Sequence, residues 1–178
     1  MTLELARWQD LTASEQAAVA ALSISAEQLE FAGRIEKALA SCEAANEADA
    51  NQTTQDFVGL AIRKNSDDGD LIVGFLVLKR RSQAPAWARA DAAVVSGMRI
   101  NQTQQGKGAG TAALKALAIW TATHWPESSR LSLEVDEENT AGIRAYNKAG
   151  FTDDGARKQG RIGWVRTLTM PIKIDRLA

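Results

Sequence analysis

A mixed α/β sheet is the fold class this sequence predicts, on three observations. Runs that alternate with period two, such as Leu131-Ser132-Leu133-Glu134-Val135, have the pattern of strands with one apolar face. Between such runs lie stretches whose apolar residues recur at helical spacing, two of them opened by capping-box sequences. The turn-forming run Asn65-Ser66-Asp67-Asp68-Gly69 joins two β-rich segments and predicts an antiparallel hairpin. The elements follow in the order β-α-α-β-β-β-α-β-α-β-β, which suits a sheet of mixed direction with packed helices.

Leu3 and Leu5 alternate with polar neighbours and predict a short first strand reaching Arg7. Thr12-Ala13-Ser14-Glu15 and Ser25-Ala26-Glu27-Gln28 both have capping-box spacing, so a helix is expected after each. In the second helix Leu29, Ala32, Ile35, Leu39 and Cys42 fall on one face. Cys42 there reads as a small core residue rather than a nucleophile. The polar region after Asn46 reads as a loop, and residues 57–63 and 71–78 as the hairpin strands. Residues 79–90, with Pro85 and Trp87, read as a loop carrying an exposed or substrate-facing aromatic. A strand over 91–100 follows, and Gly97 within it marks a bulge or a close backbone approach. The segment 110–124 is apolar almost all round, which predicts a helix buried on more than one side and closed by Pro126. His124, at its end, reads as structural. After the strand 131–135, residues 139–149 form a helix with Asn139 or Thr140 as cap and Gly150 as stop. Two last strands, 151–156 and 164–172, flank the polar turn 158–161.

With 178 residues, one domain spanning 1–178 is expected. Apolar and charged fractions of 45% and 24% are those of an ordinary globular protein, and a net charge of −1 gives no reason to expect nucleic acid or an anionic membrane as partner. The single cysteine excludes an intrachain disulfide framework. The charged start and the lack of a long apolar run lead to a cytoplasmic expectation.

The stretch Gln105-Gly106-Lys107-Gly108-Ala109-Gly110-Thr111 leads from the strand 91–100 into a helix. A glycine loop at a helix start offers free N–H groups and the positive dipole end to an anion. A plain packing turn is the competing reading. A P-loop is excluded, because Thr111-Ala112 follows the last glycine, where the motif needs Lys followed by Ser or Thr. The GxGxxA form from Gly108 to Ala113 fits a dinucleotide fingerprint, but it follows several antiparallel strands instead of the first strand of a βαβ unit.

Taken together, Gln105-x-x-Gly108-x-Gly110 and the segment Leu131–Val135 with Asn139, Ala145-Tyr146 and Gly150-Phe151 resemble the GCN5-related N-acetyltransferase (GNAT) family. The close match runs from about Met98 to Phe151. The resemblance implies a mostly antiparallel central sheet with helices on both faces, acetyl-CoA as donor and a primary amine as acceptor. It also implies roles by position. The main chains of Met98, Arg99 and Ile100 would bond the pantetheine arm and acetyl carbonyl. The amides of Gln105, Gly106, Lys107, Gly108, Ala109, Gly110 and Thr111 would hold the pyrophosphate. Asn139 would contact the cofactor, and Tyr146 would lie near its sulfur. Ribosomal-protein alanine N-acetyltransferases, a subgroup, use as general base a glutamate at the position of Glu134. Gln102 departs from the proline many members carry, a change expected to matter little.

Elementary chemistry agrees with these roles. An attacking amine must be neutral, yet amine pKa values run from about 8 to about 10.4, so a base must accept a proton. The departing thiolate takes one up, which a nearby phenol can supply. Neither a metal nor an enzyme-bound nucleophile is needed. Each residue keeps a simpler alternative: Tyr146 packs its ring, Asn139 caps its helix, Glu134 partners a polar group. A catalytically silent acetyl-CoA-binding regulatory module is the alternative for the whole chain. The acceptor is expected to be a small amine, an amino acid or a peptide N-terminus. Its determinants are expected in the first two helices and in 79–90, with Trp87 and Trp164 as candidate pocket aromatics. Oligomeric state stays open, homodimers being common in families of this kind.

Overall fold

Seven strands build one sheet in a computed structural model that describes residues 3–49, 55–65 and 69–172. They are β1 (Leu3–Arg7), β2 (Phe57–Lys64), β3 (Leu71–Lys79), β4 (Ala92–Ile100), β5 (Arg130–Asp136), β6 (Thr152–Gln159) and β7 (Trp164–Pro171). Their spatial order is β1-β2-β3-β4-β5-β7-β6, antiparallel throughout except between β4 and β5. The helices are α1 (Ala13–Ala20), α2 (Ala26–Ala32), α3 (Ile35–Asp49), α4 (Ala109–His124) and α5 (Thr140–Ala149).

Alternation along the strands divides the core between two faces. Val58, Leu60 and Ile62 of β2 join Leu114, Leu117 and Trp120 of α4 and Leu131, Leu133 and Val135 of β5 on one side. Ala61 and Phe75 join Val19, Ile35, Leu39 and Cys42 on the other. Helices therefore cover both faces of a mostly antiparallel sheet, as expected. Both capping boxes form, Thr12 with Glu15 and Ser25 with Gln28.

Three elements differ from the sequence-based expectation. The long second helix is two, α2 and α3, broken at Gly33, whose φ of +71° suits glycine alone. Residues 35, 39 and 42 keep their shared face on α3, because the apolar spacing survives the break. This helix also continues past Asn46 to Asp49. The last hairpin is longer, with β6 reaching Gln159 and the turn shifted to 160–163. On α4, Ile119 remains 71% exposed, so one side of this apolar helix faces outward. The turn at 66–68 lies outside the described residues.

Candidate active site

The site begins where two parallel strands stop pairing. β4 and β5 are in register only through Ala92↔Arg130, Ala93↔Leu131 and Val94↔Ser132. Beyond them the strands part, and a cleft of about 400 Å³ opens between residues 95–100 and 133–136, walled by α2, α4 and α5. Part of the cause is a bulge: Ser96 faces Val77 and Arg99 faces Phe75, so Gly97 and Met98 together oppose Leu76. The bulge is one of the two features expected at Gly97, which takes φ +59° there.

Arg99 is buried, and its guanidinium is fully engaged by main chain. Nε donates to Gly97 O (3.2 Å), Nη1 to Gly33 O (3.2 Å) and Nη2 to Ala32 O (3.1 Å). The charge takes up the carbonyls at the C-terminal end of α2, where a cation is favoured. Burial pulls its pKa below the ordinary value, and Glu36 partly opposes this. Only the main chain of Arg99 is left for the cleft.

The glycine stretch forms the turn into α4 at the mouth of the cleft. Gly106 and Gly108 have φ of +72° and +81°, with open space where a Cβ would stand, so backbone conformation explains these two glycines. A Cβ on Gly110 would make ordinary contacts to Ile100 and Met98 at 3.7 and 3.9 Å. The first amide that donates along the helix is that of Ala112, to Gly108 O at 3.0 Å. The amides of Ala109, Gly110 and Thr111 therefore have no helical acceptor, and with the dipole they form an anion cradle. Lys107 Nζ folds back onto Thr103 O at 2.9 Å.

Gln105 has a part the sequence did not suggest. Its Nε2 donates to Ile100 O (2.8 Å) and to Gln28 Oε1 (2.8 Å), while Gln28 Nε2 donates to Gln105 Oε1 (2.9 Å). Gln28 also completes the Ser25 capping box, so this amide pair joins the start of α2 to the glycine loop. Nearby, the Gln102 amide donates to Ser23 O at 2.8 Å, a bond that the family's proline at this position lacks the hydrogen to make.

On the opposite wall, Glu134, Asn139 and Tyr146 all line the cleft. Leu131, Leu133 and Val135 are buried, which turns Glu134 to the other face of the sheet. It pairs there with Lys158 Nζ at 2.7 Å. Asp136, two residues on, lines the cleft from the same face. Asn139 Oδ1 accepts the Gly142 amide at 2.9 Å and so caps α5. Tyr146 packs edge-on against Phe151, with ring centroids 5.9 Å apart. Burial pushes its phenol up to about 12, so the hydroxyl holds its proton at neutral pH.

Ile24, Gln28 and Phe31 close the cleft from the α1–α2 connection and α2. Arg161, in the β6–β7 turn, bridges to this wall through Nη2 and Glu30 O (2.7 Å). No periodicity in the sequence pointed to these residues, although the spacing of Asp136 from Glu134 did place both on one face. The 80–90 connection, by contrast, lies at the closed end of the β4–β5 pair. Neither Trp87 nor Trp164 lines the cleft. Cys42 is buried and its thiol is pushed up to about 12, so it is no nucleophile. His124 stacks on Trp120 at 4.2 Å with Nδ1 2.9 Å from Trp120 O, a structural arrangement.

Comparison with known proteins agrees with this site. The family model described as acetyltransferase (GNAT) matches residues 26–151, the greater part of the chain. No curated protein sequence matches it. Among solved structures, AAC(6')-Ib in complex with paromomycin and acetyl-CoA superposes with a TM-score of 0.69 at 16% identity, over 96% of this chain and 94% of that one. Spermidine N-acetyltransferase from Vibrio cholerae, in complex with CoA and spermine, gives 0.68 at 15% identity, over 96% and 95%. The alanine N-acetyltransferase of a ribosomal protein from Escherichia coli gives 0.58 at 17% identity, over 99% of both chains. The parted strands, the glycine turn and the family match lead to one conclusion: the chain belongs to the GNAT family and is an acetyl-CoA-dependent N-acetyltransferase.

Proposed function

We propose that the parted strands β4 and β5 hold acetyl-CoA and an amine together, and that the amine attacks the acetyl group directly. One observation carries this reading: an anion cradle of free α4 amides opens into a cleft whose far wall presents a carboxylate and a protonated phenol. The amides from Gln105 to Thr111 hold the pyrophosphate, with Ala109, Gly110 and Thr111 the freest donors. Main-chain groups of Met98, Arg99 and Ile100 orient the pantetheine and acetyl carbonyl. Ile100 O already accepts the Gln105 side chain, so Met98 at the bulge carries more of this task. Bound acetyl-CoA supplies an activated thioester. Asn139 caps α5 and presents its amide to the cofactor. Tyr146 donates its phenolic proton to the departing sulfur; burial keeps the phenol protonated at neutral pH while making it a weaker acid. Glu134, directly or through water, takes the proton from the amine.

The acceptor is a primary amine of a class still to be identified. The neighbouring structures, by their own descriptions, concern an aminoglycoside, a polyamine and a ribosomal protein, and all three present amines. Its determinants fall on Ile24, Phe31 and Asp136 at the cleft wall and not on residues 80–90. We place the protein in the cytoplasm, in keeping with its buried free thiol; no helix among the described residues is long and apolar enough to cross a membrane. Screening small amines, amino acids and peptide N-termini for acetyl-CoA-dependent thiol release tests the function. A chain that binds acetyl-CoA yet turns over none of these classes is the silent regulatory module instead.

A further inference from the structure

Glu134 is already occupied by a primary amine. Lys158 Nζ lies 2.7 Å from its Oε2, and the amine comes from β6, two strands away. Register explains the meeting. Lys158 pairs with Val165 and Val165 with Asp136, so all three side chains share the face of Glu134, and the lysine stem lies across β7 to reach it. Two other carboxylates near this edge are taken by arginines: Glu137 and Asp153 both bind Arg157 and Arg166. Among the described residues Lys158 pairs with Glu134 alone, and its side chain is 52% exposed on a strand exposed at every residue. A long, half-solvated side chain of this kind retains rotational freedom while its amine stays close to the cleft.

We propose that Lys158 is a self-acetylation site, an internal amine that this enzyme modifies with its own donor. The proposal rests on Glu134 acting as base. Lys158 begins as an ammonium with three protons. One passes to Glu134, leaving a neutral nitrogen that attacks the thioester carbonyl. The N–C bond forms and the C–S bond breaks. The thiolate takes a proton from Tyr146, and the second proton to leave the nitrogen passes to the resulting phenolate and restores it. The third stays on the amide, and Glu134 returns its proton to solvent. Acetylated Lys158 has no charge, so the ion pair is lost and the Glu134 carboxylate becomes free for an external amine.

The test is to incubate the full chain with acetyl-CoA, measure its binding by calorimetry, and map acetyl-lysines over time by peptide mass spectrometry. The expected result is acetylation at Lys158 ahead of every other lysine, at a rate independent of protein concentration. Glu134→Gln should slow it about 100-fold, the scale of a lost general base. Lys158→Arg should bind acetyl-CoA and acquire no faster modification elsewhere. Bound acetyl-CoA with Lys158 unmodified would overturn the proposal and leave the proposed function standing. So would Lys158 reacting no faster than Lys115 or Lys148, or equally fast in Glu134→Gln or in heat-unfolded chain. Failure to bind acetyl-CoA would remove both.

Discussion

Burial acts on two side chains in the same direction and with different consequences. The Tyr146 phenol, pushed up to about 12, remains a proton donor at neutral pH, and it lines the cleft. Tyr146→Phe keeps the ring on Phe151, so we expect unchanged melting and acetyl-CoA affinity but turnover about 100-fold lower. Steady-state rates set beside calorimetric binding check this. The Cys42 thiol, also at about 12, faces the core, and its labelling by a thiol reagent at pH 8 should follow global unfolding. The glycines separate by cause. Gly108→Ala forces a left-handed φ on an L-residue and should lower stability by about 1–2 kcal/mol. Gly110→Ala meets only ordinary contacts, so its melting temperature should hold, and any loss of acetyl-CoA affinity would report on the close approach of the cofactor. A melting curve and a binding isotherm for each variant distinguish the two. At this scale the sequence showed which way Glu134 points, through alternation with buried leucines. Its partner Lys158 was hidden, because a contact across two strands needs the register of both.

Among the elements, α2 has the most unusual supports. Its start is held by Gln28, which serves the Ser25 capping box and the Gln105 side chain at once. Its end is held by the Arg99 guanidinium on Ala32 O and Gly33 O. Both anchors come from around the cleft, so the α2 wall is tied to the glycine loop and to β4. Gln28→Ala and Gln105→Ala should each cost about 1 kcal/mol. The double variant should cost less than their sum, with a coupling of at least about 0.5 kcal/mol. Denaturant unfolding of the four proteins measures it, and strict additivity would mean the amide pair is not a unit. The capping box itself was legible, because it is a local pattern. The break at Gly33 was not, because apolar spacing continued smoothly from Leu29 to Cys42. The break depends on a glycine in the left-handed region and on a guanidinium from β4, neither visible as periodicity.

For the whole molecule, the closed end of the β4–β5 pair matters as much as the open one. Asp91 accepts hydrogen bonds from Ser129 Oγ at 2.5 Å and Arg130 Nε at 3.0 Å, with Arg89 beside it. Ser129 first, then the arginines, holds its carboxyl at about 2 against an ordinary 3.8. Because the folded value is the lower one, this contribution is complete above 3.8 and is lost as pH falls towards 2. Asp91→Asn should therefore weaken the fold at neutral pH and flatten the acid limb in that window, as read by denaturant titrations from pH 6 downward. Acetyl-CoA, by binding only the folded chain, should raise the melting temperature in proportion to the logarithm of its concentration. Taken alone, the sequence determined the run of strands and helices except for the break between α2 and α3, the glycine turn at the start of α4, and a resemblance specific enough to name the donor. These are local patterns, set by side-chain alternation, capping and turn chemistry within a few residues. Only the tertiary structure decided that β4 and β5 part after three pairs, that Gln28 and Arg161 reach across to the cleft walls, and that Lys158 occupies Glu134. Those facts join residues far apart in the chain, and sheet order and register bring them together.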